Sequence, residues 1–133
     1  MNGNHFLIVT AIAEAGTGLL ILSCPSVPVE VLLGIKDVSP EVTICARIAG
    51  AALLGIGVAC WIGRSDTHSS ARLGLLTGAL IYDLAAAALL AYAGLVLNLV
   101  GLVLWPAVVL HAALAIWGVV CLTVKRPLTV GER

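Results

Sequence analysis

Charge is scarce in this sequence. Asp, Glu, Lys and Arg make up 11% of its 133 residues, against about a quarter in soluble domains, and seven basic residues balance seven acidic ones. No stretch gathers enough Lys or Arg to track phosphates, which argues against nucleic acid as a partner. The signatures of enzyme chemistry are missing as well. There is no Gly-x-Ser-x-Gly, no phosphate-cradling glycine loop and no His-Glu-x-x-His, so nothing in the motifs supports an enzyme or calls for a cofactor. The four cysteines, Cys24, Cys45, Cys60 and Cys121, lack Cys-x-x-Cys spacing and read by default as buried structural thiols.

Apolar residues fill the chain instead, at 61% with a mean hydropathy of +1.13. A soluble domain of this size buries only about 60 to 70% of its unfolded surface, so this composition implies a lipid bilayer as solvent. Residues 6–24 are apolar except for Glu14 and span about 28 Å as a helix, close to the thickness of a hydrocarbon core. Ile21-Leu22-Ser23-Cys24 resembles a lipoprotein cleavage site, but no Lys or Arg precedes the apolar run and Glu14 interrupts it. A retained helix is therefore expected.

Pro25 and Pro28 stop that helix, and residues 25–40 read as a short interfacial helix or outer lid. Ser39 as cap, Pro40 in the first turn and Glu41 at the positive end of the dipole open a second helix, over about 41–63. From Leu73 to Val124 the chain is apolar apart from Asp83 and His111, about 78 Å if it were one helix. It must fold back, and Gly94, Asn98, Gly101 and Trp105-Pro106 mark the turn between helices at about 71–94 and 103–124. Arg64 and Arg72 flank the second link and Lys125, Arg126 and Arg133 follow the fourth helix, whereas the first link holds only Lys36. That bias puts both termini in the cytoplasm. The expectation is an all-α, polytopic membrane protein with a single domain over 1–133. It is a four-transmembrane-helix bundle with an outer lid at 25–40 and a cytoplasmic tail at 125–133.

Each helix carries one ionisable residue at depth: Glu14, Arg47, Asp83 and His111. A charge at the bilayer centre costs at least about 2.5 to 3.5 kcal/mol, so all four should face inward and compensate one another. Counted from the cytoplasmic ends, Glu14 lies about 13 Å and Asp83 about 16 Å deep; counted from the outer ends, Arg47 lies about 9 Å and His111 about 12 Å deep. This predicts one polar layer in which Glu14 pairs with Arg47, and Asp83 completes the guanidinium fork or accepts from His111. Thr17 and Tyr82 are further partners. Such a layer either locks the helices in register or lines a site for a proton, an ion or a polar head group.

His111 has no partner ligand at i+3 or i+4, and His5 falls near the opposite membrane face, so no metal or haem site is expected. Cys24 and Cys45 both lie near the outer face, which leaves a disulfide between them open. Trp61, Trp105 and Tyr92 suit interface anchors. Small residues at Ala11 and Ala15, at Ala51, Gly55 and Ala59, and at Gly74 and Gly78 offer ridges for close helix packing.

Two resemblances follow. Ala11-Ile12-Ala13-Glu14-Ala15-Gly16-Thr17 looks like the first helix of small multidrug-resistance transporters, in which a glutamate exchanges protons for cationic drugs. Beyond that segment the chain departs from them, and Arg47 would repel a cationic drug. The Pro-rich link from Pro25 to Gly34, followed by Ala46-Arg47-Ile48-Ala49-Gly50-Ala51-Ala52-Leu53-Leu54-Gly55, is similar to DoxX-like small four-helix bacterial membrane proteins. That resemblance implies the fold and a bacterial inner (plasma) membrane, and transfers no activity. The functional expectation is a multi-pass protein that binds a small polar or lipid-like, amphipathic ligand or serves as accessory subunit to a partner in a membrane complex. The alternatives are a proton-coupled small-molecule transporter using Glu14 or Asp83 and a purely structural membrane protein.

Overall fold

The structure, a computed structural model, describes residues 3–66 and 69–123. It holds five helices, α1 Gly3–Ser23, α2 Ser26–Leu33, α3 Pro40–Gly63, α4 Ser70–Leu95 and α5 Leu104–Thr123. Four of them, α1, α3, α4 and α5, are long and apolar enough to cross a membrane. The expected tail, 125–133, lies outside the described residues.

Local chemistry sets the helix ends. The Ser39 hydroxyl accepts from the Val42 amide and Pro40 takes the first helical position of α3, where a missing N–H costs nothing. Ser69 does the same for α4 through the Arg72 amide at 3.2 Å. The short helix α2 ends at Gly34, whose φ of +76° and amide bond to the Glu30 carbonyl form a left-handed cap.

Two pairs of helices make the main contacts, α1 with α3 and α4 with α5. In the first pair the backbones nearly touch. A Cβ on Gly18 would stand 2.6 Å from the Gly50 carbonyl oxygen, and one on Gly57 would stand 2.6 Å from the Ala15 amide. The ridge that does this on α3 is Gly50, Leu53, Gly57 and Cys60. Ala51 and Gly55 are exposed, and a Cβ on Gly55, Gly74 or Gly78 would meet nothing within 4 Å. The expected small-residue ridges of α3 and α4 therefore face outward. On α1, Ala11 and Ala15 do lie against Gly57.

The pairs join through an apolar core of Phe6, Leu7, Ala11, Cys60, Leu76, Ala79 and Leu114, with Trp117 packed edge-on to Phe6 at 5.8 Å. At one end of the molecule α2 is sutured to the α4–α5 turn. The Val103 amide donates to the Val31 carbonyl at 2.9 Å, and Gly101 sits so close to Leu32 that any side chain would collide with its backbone. At the opposite end Arg72 donates to the Asn4 side chain at 2.8 Å and to the Asp66 carbonyl, holding the start of α1 against the start of α4. The outer surface is apolar: Ile12, Ile48, Ile62, Leu89, Val109 and Ile116 are each more than 60% exposed, far more bare hydrocarbon than a protein in water presents.

Candidate functional site

Along α1 the residues Phe6, Thr10, Glu14 and Gly18 follow one another at intervals of four, and all four are buried. That spacing stacks them on one helix face. Leu76, Ala79 and Asp83 form the corresponding stripe on α4, and Leu114, Ala115 and Gly118 that of α5. Where the three stripes converge, midway along the helices, they place Glu14, Asp83 and His111 together.

Asp83 is wholly buried, and its Oδ1 lies 2.8 Å from the His111 Nδ1. The His111 ring meets the Tyr82 ring edge-on at 5.6 Å, and the Tyr82 side chain is within hydrogen-bonding reach of the Glu14 carboxylate. Glu14, 2% exposed, completes the group. One carboxylate oxygen from each acid and one ring nitrogen of His111 all fall within 4.8 Å of one another. The second Asp83 oxygen has no hydrogen-bond partner, and neither has the buried hydroxyl of Thr10, one turn from Glu14. Cys60 of α3, also buried, lies within electrostatic reach of both carboxylates.

Arg47 is elsewhere. It is exposed and lines a cavity of about 840 Å³ beside α2, together with Ser23, Cys24, Lys36, Asp37 and Thr43. Among the described residues it makes no ion pair with Glu14; the ion pair found there is Asp83–His111. The reason is register. Gly50 packs on Gly18 and Leu22, so Arg47, farther toward the start of α3, stands about 12 Å or more along the axis from Glu14. Counting depth from the helix ends assumed that both helices begin flush, and the glycine contact slides them past one another.

Thr17 is exposed as well; the threonine on the Glu14 stripe is Thr10, four residues earlier rather than three later. Thr10 and Cys60 are the residues that sequence reasoning missed. The i, i+4 run through Phe6 carried the signal for Thr10, while nothing in the sequence placed Cys60 near the acids. Cys24 and Cys45 are free and exposed, neither buried nor joined.

Chemically, the arrangement is two carboxylates, a phenol and an imidazole in an apolar surround, with no Lys or Arg among them. Two unit charges about 4 Å apart repel by about 4 kcal/mol at an effective dielectric of about 20. A positive charge beside them, on the His111 imidazole or on a bound ion, offsets that repulsion. No protein-family model, curated protein or solved structure matches the chain.

Proposed function

We propose that this chain is a multi-pass protein of a bacterial inner membrane whose Glu14, Tyr82, Asp83 and His111 form an intramembrane site for a small cation, the proton being the simplest. The observation that carries this reading is the mutual reach of two buried carboxylates and one imidazole with no Lys or Arg to neutralise them. A polar layer serving only to lock helices would need fixed compensation within itself, and with Arg47 out of reach that compensation must come from a cation taken up at the site, a proton on His111 included. Ionisable groups at such depth otherwise carry a cost without return.

The membrane setting rests on the four long apolar helices and on the DoxX-like resemblance of residues 25–34 and 46–55. The bundle with both termini cytoplasmic rests on Arg64, Arg72, Lys125, Arg126 and Arg133 against Lys36 alone. In this reading the small polar ligand is a cation, and coupling to a transported molecule or a partner subunit builds on the same site.

Infrared difference spectroscopy of the full chain in lipid nanodiscs, taken through a pH titration, tests it. A carboxyl C=O band should grow on acidification and be lost or displaced in Glu14→Gln and in Asp83→Asn. Identical difference spectra for the parent and both variants would overturn the reading.

A further inference from the structure

We propose that Glu14, Asp83 and His111 together bind one divalent first-row transition-metal ion. The proposal deepens the cation reading of the same cluster and rests on it. Three observations carry it.

The first is geometry. Three donor atoms that lie within 4.8 Å of one another leave a point within about 2.8 Å of all three, and side-chain adjustments of less than about 1 Å bring each to the 2.0–2.2 Å of a metal bond. The donors come from the middles of three separate helices, α1, α4 and α5, so the fold itself holds the set. A search for ligands at i+3 or i+4 on a single helix looks past such an arrangement.

The second is an unmet acceptor. Asp83 is wholly buried, and one of its oxygens goes to His111 while the other has no partner. An orphaned buried acceptor costs about 1 to 3 kcal/mol, more when it is charged, and a metal ion bound to that oxygen removes the cost.

The third is charge. Two carboxylates and a neutral imidazole around a divalent ion sum to zero, which is the occupancy an apolar surround tolerates best. A monovalent ion would leave a net negative charge at the same depth. The donor set also selects among divalent ions: imidazole with carboxylates suits zinc, iron or nickel, whereas calcium and magnesium ask for more oxygens than three side chains supply. Three protein ligands leave a coordination position open for water or a substrate.

Cobalt(II) is the probe, because it occupies zinc-type sites and absorbs in the visible. The full chain is purified in detergent with Cys24→Ser, Cys45→Ser and His5→Asn to remove exposed competing donors, stripped with chelator and titrated. The expected result is one Co²⁺ per chain, displaced by Zn²⁺, with an X-ray absorption spectrum showing oxygen and nitrogen neighbours, an imidazole and no sulfur. Affinity should fall by about 100-fold or more in Glu14→Gln and Asp83→Asn. If Asp83→Asn does not fold, the isosteric Glu14→Gln and the absorption spectrum of the parent decide. Absence of saturable binding, sulfur around the cobalt, or undiminished affinity in Glu14→Gln overturns the proposal. A carboxyl band that titrates in the infrared while Co²⁺ and Zn²⁺ fail to bind overturns the metal and leaves the proton as the cation. Failure of both removes the cation reading itself.

Discussion

Two stretches of α1, one turn apart, solve opposite problems. Around Gly18 and Ala15 the helix meets α3 backbone to backbone, with no side chain between Gly18 and Gly50. One turn away, Glu14 meets α4 and α5 through charged and polar side chains, where one Asp83 oxygen and, a turn further along α1, the Thr10 hydroxyl have no partner. In lipid, where no hydrophobic force pulls helices together, close approach of small residues supplies the attraction. The glycine seam thus holds the fold, and the polar centre is free to be chemically incomplete. Residues that keep the seam should matter for stability, and residues of the centre for binding.

The largest effect expected lies in the seam. Gly57→Leu forces at least a Cβ to within 2.6 Å of the Ala15 amide and 2.9 Å of the Ala11 carbonyl, and backbone cannot step aside as a flexible side chain can. Overpacking costs typically 1–3 kcal/mol and occasionally more; here it should reach the top of that range or prevent accumulation of folded protein. Thermal unfolding in detergent measures it, and a melting temperature equal to that of the parent would remove the seam from its assigned role.

The polar centre should respond in the opposite direction. Glu14→Gln keeps size and hydrogen-bonding shape while removing one of two clustered acids, so stability of the metal-free protein at neutral pH should rise by about 0.5 to 2 kcal/mol as cation binding is lost. A fall of similar size would mean that Glu14 is held in a compensated structural pair, and the contrast between the two stretches would collapse.

Binding at the centre should also weaken in acid. Glu14, Asp83 and His111 must all be deprotonated to coordinate a metal, so protons compete with it, and each proton released on binding costs about tenfold in affinity per pH unit below the group's titration. Tyr82 and Cys60 are the other titratable groups near the cluster, and neither is among the three ligands. Cobalt titrations at several pH values check this; an affinity that does not fall on acidification would mean that these three groups release no proton on binding and are not the ligands.

The same contrast explains what the sequence made legible. Long apolar runs broken by Pro25, Pro40 and the turn around Asn98 locate the helices within a few residues, because hydropathy and capping act locally; the largest difference is at α1, which begins at Gly3. Helix rotation and register are set by distant contacts. On α3, Gly50 and Gly57 differ from Ala51 and Gly55 by a residue or two, yet each residue turns the helix by about 100°, and a helix this rich in glycine and alanine offers several plausible stripes. Register carried Arg47 out of the polar layer, and rotation replaced Thr17 with Thr10. Glu14, Asp83 and His111 stay visible because a charged group in so apolar a segment has few places to go.

The smallest effect is the most discriminating for the seam. Gly55→Ala places a methyl where nothing stands within 4 Å, and alanine favours the helix by up to about 1 kcal/mol over glycine, so stability should hold or rise slightly. Gly18→Ala, the same chemical change on the facing helix, puts that methyl 2.6 Å from the Gly50 carbonyl oxygen and should cost about 1–3 kcal/mol. The opposite signs would come from geometry alone, since composition, helix type and substituent are shared. Equal losses at the two positions would mean that the Gly55 face is packed against something in the membrane, and the closely packed surface of α3 would then have two sides rather than one.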